Sequence, residues 1–84
     1  MYLDLIERLN GGDAPENPAV QAIVARWEQH LRYFYEPTVD ILRGLGQAYV
    51  EHAGFRAFFD KMHPRLAEYL RSAIEVYCAE REAA

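Results

Sequence analysis

Eighty-four residues are enough for one small core, and 51% hydrophobic with 26% charged residues is the composition of an ordinary folded chain, not of a disordered or low-complexity one. No apolar run approaches the roughly 18–20 residues of a membrane span, and MYLDLIERLN lacks the basic region and continuous apolar stretch of a signal peptide. A net charge of −4, with eight arginines and one lysine scattered singly, repels phosphate and argues against direct nucleic-acid binding. The single cysteine, Cys78, excludes an internal disulfide and a CxxC metal site and suits a cytoplasmic protein.

No stretch alternates apolar and polar residues over strand length, so the pattern predicts an all-α chain of five helices with no sheet. Tyr2, Leu5, Ile6 and Leu9 put a first helix at about 2–10, ended by Asn10-Gly11-Gly12. After the loop GGDAPEN, Asn17 is a helix N-cap and Pro18 a first helical residue. The second helix is expected to run to about Tyr35 on Val20, Ile23, Val24, Trp27, Leu31 and Phe34, with Glu28 and Arg32 paired off that face. Glu36-Pro37-Thr38 breaks the chain. A third helix over about 38–51 turns Ile41, Leu42, Leu45, Ala48 and Tyr49 inward. A short fourth helix follows the break at His52-Ala53-Gly54, on Phe55, Phe58, Phe59 and Met62. His63-Pro64 opens a fifth, about 64–81, on Leu66, Leu70, Ala73, Ile74 and Tyr77. Trp27, Leu45, Leu66 and Leu70 are expected in the core or at its edge. No repeat and no linker divides the chain.

Two glycines stand within the third helix, where each costs about 1 kcal/mol relative to Ala. Gly44 neighbours Ile41 and Ala48; Gly46 neighbours Leu42, Tyr49 and Val50. Either another helix crosses closely there or a ligand approaches the backbone. Trp27, His30, Tyr33, Phe34 and Tyr35 come just before this helix, and Tyr49, Phe55, Phe58 and Phe59 follow. Tyr33, Phe34 and Tyr35 cannot all face one core, so some of them line a rim or cleft, and an apolar cleft with a few polar handles is the default small-molecule site. The expected cleft lies between the second and third helices, with Trp27, His30, Phe34, Tyr35, Ile41, Gly44, Leu45 and Tyr49 as its candidate residues. Aromatic faces would supply the contact, and His30 and the tyrosine hydroxyls the orientation. His30, His52 and His63 share no metal-ligand spacing, and His52 and His63 suit capping roles at helix breaks. Asp40 and Glu36 suit a helix N-terminus. No catalytic set is present, and neither an enzyme nor a cofactor or metal site is expected.

The segments PAVQAIVARW, FYEPTVDILRGLGQAYV, GF and HPRLAEYLRSAIEVYC, in this order, resemble the TipAS-type antibiotic-recognition domain, the C-terminal effector domain of drug-sensing regulators of the MerR family. The resemblance runs from the first helix to Cys78, and LGQAYV and RLAEYLRSAI are its more specific parts. It implies a globin-like helical domain that binds a bulky hydrophobic small molecule, notably a thiopeptide-like antibiotic, in a cleft. Members usually carry an N-terminal winged-helix DNA-binding domain and a dimerising coiled coil, neither of which is found in this sequence. DNA would therefore be met only through a domain absent from this chain, in a full-length regulator expected to be a dimer. The sequence is expected to begin partway through the family's domain, whose leading segments can close over the ligand. Some members capture a thiopeptide covalently through a cysteine in the third helix; the matching position here is Gly44, and Glu36-Pro37 stand where a second cysteine lies. The resemblance thus implies reversible binding, with Cys78 a packed, inert thiol. Three functions follow: the ligand-sensing domain of a MerR-type activator, a free-standing protein that sequesters drugs, or a helical module whose aromatic cleft takes a peptide or helix.

Overall fold

A computed structural model describes residues 1–83. Among these residues there are five helices and no strand: α1 (Tyr2–Asn10), α2 (Pro18–Leu31), α3 (Val39–Glu51), α4 (Ala53–Met62) and α5 (Leu66–Ala83). The all-α expectation holds. The helix starts follow from short polar side chains. Asn17 Oδ1 accepts the Ala19 N–H at 2.9 Å, with Pro18 next to it, and Thr38 Oγ1 accepts the Ile41 N–H at 3.2 Å. Gly12, at φ 80°, takes the left-handed conformation that turns the chain away from α1.

Two boundaries differ from the sequence pattern. α2 stops at Leu31 instead of reaching Tyr35. Tyr33, Phe34 and Tyr35 close tight turns on the carbonyls of His30 and Leu31, and Pro37 just beyond, itself buried, disfavours helix at Glu36. α5 begins at Leu66 instead of 64, because His63-Pro64 is followed by a turn in which the Leu66 N–H reaches the His63 carbonyl.

α5 is the spine. Leu66, Ala67, Leu70, Ala73, Ile74 and Cys78 on it are fully enclosed, and they pack with Leu5, Val20, Val24, Trp27, Leu42 and Phe59 into one core. Leu45 packs against that core from its edge. α3 crosses α5 closely at Gly46, where a Cβ would lie 3.4 Å from Ile74 Cγ2 and 3.6 Å from Arg71 Cγ: room for a methyl and for little more. The loop after α1 is fastened to α5 by Tyr69, whose hydroxyl donates to the Asp13 carbonyl at 2.8 Å, and by Gln21, whose Nε2 donates to the carbonyls of Pro15 (2.8 Å) and Ala73 (3.1 Å).

Glu28 corrects a second expectation. Its i, i+4 pair with Arg32 forms as expected, but the carboxylate is buried, 4% exposed, instead of lying off the apolar face. Its Oε1 accepts the Tyr77 hydroxyl at 2.5 Å and Arg81 Nη1 at 2.7 Å; its Oε2 accepts Arg32 Nη2 at 3.1 Å. Three donors make burial of the charge tolerable, and two of them, Tyr77 and Arg81, clamp α2 to the last turns of α5. On the other side of α5, Arg43 from α3 pairs with Glu75 at 3.2 Å and Glu82 at 2.8 Å.

Candidate ligand-binding site

One residue, His52, serves as both the C-cap of α3 and the N-cap of α4. Its N–H donates back to the Ala48 carbonyl at 2.8 Å, while its Nδ1 accepts the Gly54 N–H at 3.2 Å. So abrupt a corner brings the phenylalanines of α4 against Tyr49 of α3 and Tyr2 of α1. Ring centroids lie 5.0 Å apart for Tyr49–Phe59, 5.4 Å for Tyr49–Phe55, 5.4 Å for Tyr2–Phe59 and 6.2 Å for Tyr2–Phe58, all edge to face, the arrangement that ring quadrupoles favour. Phe59 is enclosed, whereas Phe55 and Phe58 remain 42% and 51% exposed.

These rings border a cleft of about 490 Å³ lined by Tyr2, Tyr49, His52, Gly54, Phe55, Phe58 and Phe59. A second lobe of about 500 Å³ is lined by Met1, Tyr2, Arg26, Trp27, His30, Leu31 and Tyr49. Tyr2 and Tyr49 belong to the lining of both lobes. Each lobe falls within the ~300–1,000 Å³ typical of small-molecule sites. Burial pushes both phenols above their ordinary range; Tyr2 is raised further by Tyr49, and the Trp27 indole draws Tyr49 part of the way back. Both hydroxyls are therefore neutral at physiological pH and able to donate or accept. Arg26, in the second lobe, is paired with Asp4 at 2.7 Å.

Of the residues singled out in the sequence, Trp27, His30 and Tyr49 come together around the second lobe. Phe34 sits outside it with its ring 5.7 Å from that of His30, and Tyr35 borders a small hollow with Arg32 and Glu36. Ile41, Gly44 and Leu45 are not among the lining of either aromatic lobe. A Cβ at Gly44 would meet nothing within 4 Å. Four aromatic or aliphatic residues expected on buried faces are largely open: Phe34 (72% exposed), Ile41 (40%), Phe55 and Phe58. Phe34 leaves the helical register when α2 stops at Leu31, and the packing of α4 encloses only one of its three phenylalanines, Phe59. Tyr2, His52, Gly54 and the three phenylalanines of α4 were the functional candidates that periodicity missed. Their signal was the crowding of Phe55, Phe58 and Phe59 onto ten residues.

The three histidines are engaged as caps or ring contacts: His63 accepts the Arg65 N–H at Nδ1 and meets Asn10 Oδ1 at 3.1 Å through Nε2. Among the described residues no three His, Cys, Asp or Glu side chains gather at metal-binding distance, and no helix is long and apolar enough to cross a membrane.

The family model of the TipAS antibiotic-recognition domain matches residues 1–77. The chain belongs to this family. It is similar to the HTH-type transcriptional activator mta of Bacillus subtilis (strain 168), with 34% identity over 83 residues. That alignment covers 98% of this chain and 32% of the relative, so the TipAS domain described here spans about a third of that activator's length. No solved structure matches the chain. The one thiol of this TipAS domain, Cys78, is fully enclosed with Sγ 3.8 Å from the Val39 carbonyl, and burial pushes its pKa up. A thiol held protonated and out of reach is a poor nucleophile.

Proposed function

We propose that this domain is the effector-sensing part of a MerR-type transcriptional activator and that it reversibly binds bulky amphipathic compounds, thiopeptide-like antibiotics among them, in the two-lobed aromatic recess. The observation that carries the reading is the open cleft at the α3–α4 corner, in a chain of an antibiotic-recognition family: Phe55 and Phe58 are left half uncovered beside neutral phenols. A domain with little burial to spare leaves such area exposed where a ligand will cover it. Reversibility is supported by glycine at position 44 and by the enclosure of Cys78. DNA contact, in this reading, belongs to another part of a dimeric full-length regulator, since this domain carries a net charge of −4. Binding would act on transcription only so far as the ligand prefers one conformation of that dimer.

The test is a thermal-shift screen of the chain against thiopeptides and other large apolar compounds, with intact-mass measurement after incubation. The expected result is a rise in Tm with at least one such compound, reduced in Phe58→Ala, and an unchanged protein mass. No shift with any compound overturns the reading, and a mass adduct overturns its reversible form.

A further inference from the structure

The aromatic cleft contains one polar group whose role the backbone dictates. A backbone N–H can only donate, so the contact from Gly54 N–H to His52 Nδ1 at 3.2 Å requires a lone pair on Nδ1. The neutral imidazole then carries its proton on Nε2, and Nε2 is the nitrogen left for a ligand. The ring is set in the cleft wall with its centroid 5.2 Å from that of Phe55. Gly54 allows this placement: a Cβ there would stand 3.3 Å from both Cε1 and Nδ1 of His52, tighter than most side chains tolerate. The Tyr2 and Tyr49 hydroxyls can donate or accept, whereas Nε2–H can only donate. The rest of the lining is phenylalanine and glycine, and no carboxylate borders the cleft.

We propose that His52 orients the ligand and sets its chemical class: Nε2–H donates to a carbonyl oxygen or heteroaromatic nitrogen at the edge of an uncharged aromatic system that packs against the wall formed by Tyr49, Phe55 and Phe58. This deepens, and rests on, the reading of the cleft as the effector site. An acceptor buried among phenylalanines loses its water, and here it regains a partner. A ligand without an acceptor leaves Nε2–H unpaired beside its apolar body. Sites built to make a hydrogen bond discriminate against analogues that lack it for this reason.

The experiment uses two fluorescent probes, a dimethylaminonaphthalene carrying a propionyl group and its propyl counterpart, alike except for the carbonyl. Each is titrated into the wild-type chain and into two variants. His52→Asp keeps an oxygen to cap the Gly54 N–H but has nothing to donate; Phe58→Ala removes apolar wall and leaves His52 in place. The wild type is expected to bind the propionyl probe about five- to tenfold more tightly than the propyl probe, with the red-shifted emission of a hydrogen-bonded carbonyl. His52→Asp should bring the ratio to about one with helicity retained by circular dichroism. Phe58→Ala should weaken both probes alike and keep the ratio. A ratio near one in the wild type, or a ratio that survives in His52→Asp, overturns the role of His52 while leaving the cleft as a site. If His52→Asp fails to fold, His52→Ser, which also caps the Gly54 N–H but is too short to reach the ligand, takes its place: a ratio that falls to about one supports the proposal and a ratio that survives overturns it. Failure of both probes to bind the wild type overturns this proposal, and the effector-site reading falls with it only if the thermal-shift screen is silent as well.

Discussion

On α5, Leu66, Ala67, Leu70, Ala73, Ile74 and Cys78 have at most 1% of their surface exposed, whereas on α4 only Phe59 is buried. α5 is also tied across its far half by charge, through Tyr77 and Arg81 to Glu28 and through Glu75 and Glu82 to Arg43. α4 has Arg56, which reaches Glu68 at 3.1 Å, and it leaves Phe55 and Phe58 half uncovered. The two helices divide the work. Burial concentrated along α5 supplies the fold, and the helix with the fewest buried side chains carries the proposed recognition surface. Ligand sites commonly draw on the least stable parts of a domain, because a surface that must be covered by something else cannot also be covered by the core.

The largest effect that tests this division is at Trp27, which is 3% exposed and belongs to both regions: it packs in the core and faces Tyr49 with ring centroids 6.4 Å apart. Trp27→Ala should destabilise by about 3–5 kcal/mol in urea denaturation. A loss under about 1 kcal/mol would mean that the second lobe is solvent space and Trp27 a platform on it, and the boundary between core and recess would have to be redrawn.

Next comes Glu28. Glu28→Ala leaves Tyr77, Arg81 and Arg32 without their acceptor, but both arginines are 41% exposed and can turn to water. The expected loss is therefore about 1–3 kcal/mol, below that of a fully enclosed pair. The same network has a pH signature. Burial, and then the Glu28 carboxylate, raise the Tyr77 phenol above its ordinary value. A group raised in the folded state contributes stability that is fully present below its unfolded pKa of about 10 and is lost as pH rises through the folded value. Stability should thus hold from neutrality to about pH 9 and fall beyond it. Tyr77→Phe should lose about 1 kcal/mol at neutral pH and show a shallower alkaline fall. An alkaline limb unchanged by the substitution would assign that fall to the other buried phenols and to Cys78.

The crossing of α3 over α5 gives an effect of similar or smaller size. Gly46→Leu has no space beside Ile74 and should destabilise by about 1–3 kcal/mol through overpacking, whereas Gly46→Ala, whose methyl would make ordinary contact, should be tolerated. If Gly46→Leu is silent in denaturation, the α3–α5 crossing is looser than the buried faces imply.

These sites also show what could be read before the structure. The helices were legible because their signals are local: Asn17 caps within two residues, Gly12 turns the chain by its own freedom, and Leu66, Leu70 and Ile74 repeat at helical spacing. Family membership was legible in LGQAYV and RLAEYLRSAI. Glu28 was misplaced because its partners Tyr77 and Arg81 are some fifty residues away, and a period cannot tell a carboxylate that meets them from one that meets water. The aromatic recess was half legible for the same reason. Trp27, His30 and Tyr49 were chosen for chemistry and do converge, but Tyr2 joins them only through the packing of α1, and Phe55 and Phe58 only through the sharp corner at His52.

At the recess itself the stability effects become small and the binding effects dominate. Phe58 is half exposed, so Phe58→Ala should cost about 1 kcal/mol or less in denaturation. It should weaken aromatic ligands by roughly two- to tenfold, the worth of one ring contact. The opposite pattern, a large loss of stability with unchanged binding, would place Phe58 functionally with α5.

The smallest expected effect is at Gly44, where the outcome differs in sign. Nothing lies within 4 Å of a Cβ built there, the residue is exposed in a helix interior, and its backbone is ordinary helix. Gly44→Ala therefore removes conformational freedom from the unfolded chain without adding a clash, and should stabilise by about 0.4–1 kcal/mol. No contact in the structure explains a glycine at this position. The matched substitutions separate the two glycines: alanine should be accepted at both positions, leucine only at 44. Binding then separates two locations for the ligand. If the aromatic corner holds it, Gly44→Ala should leave the affinity for any compound found in the thermal-shift screen unchanged, because Gly44 borders neither lobe. If Gly44→Ala stabilises the free domain and also weakens the compound, the ligand reaches along the outer flank of α3 over Ile41, and the site extends beyond the corner. Isothermal titration of wild type and Gly44→Ala with the same compound decides between the two.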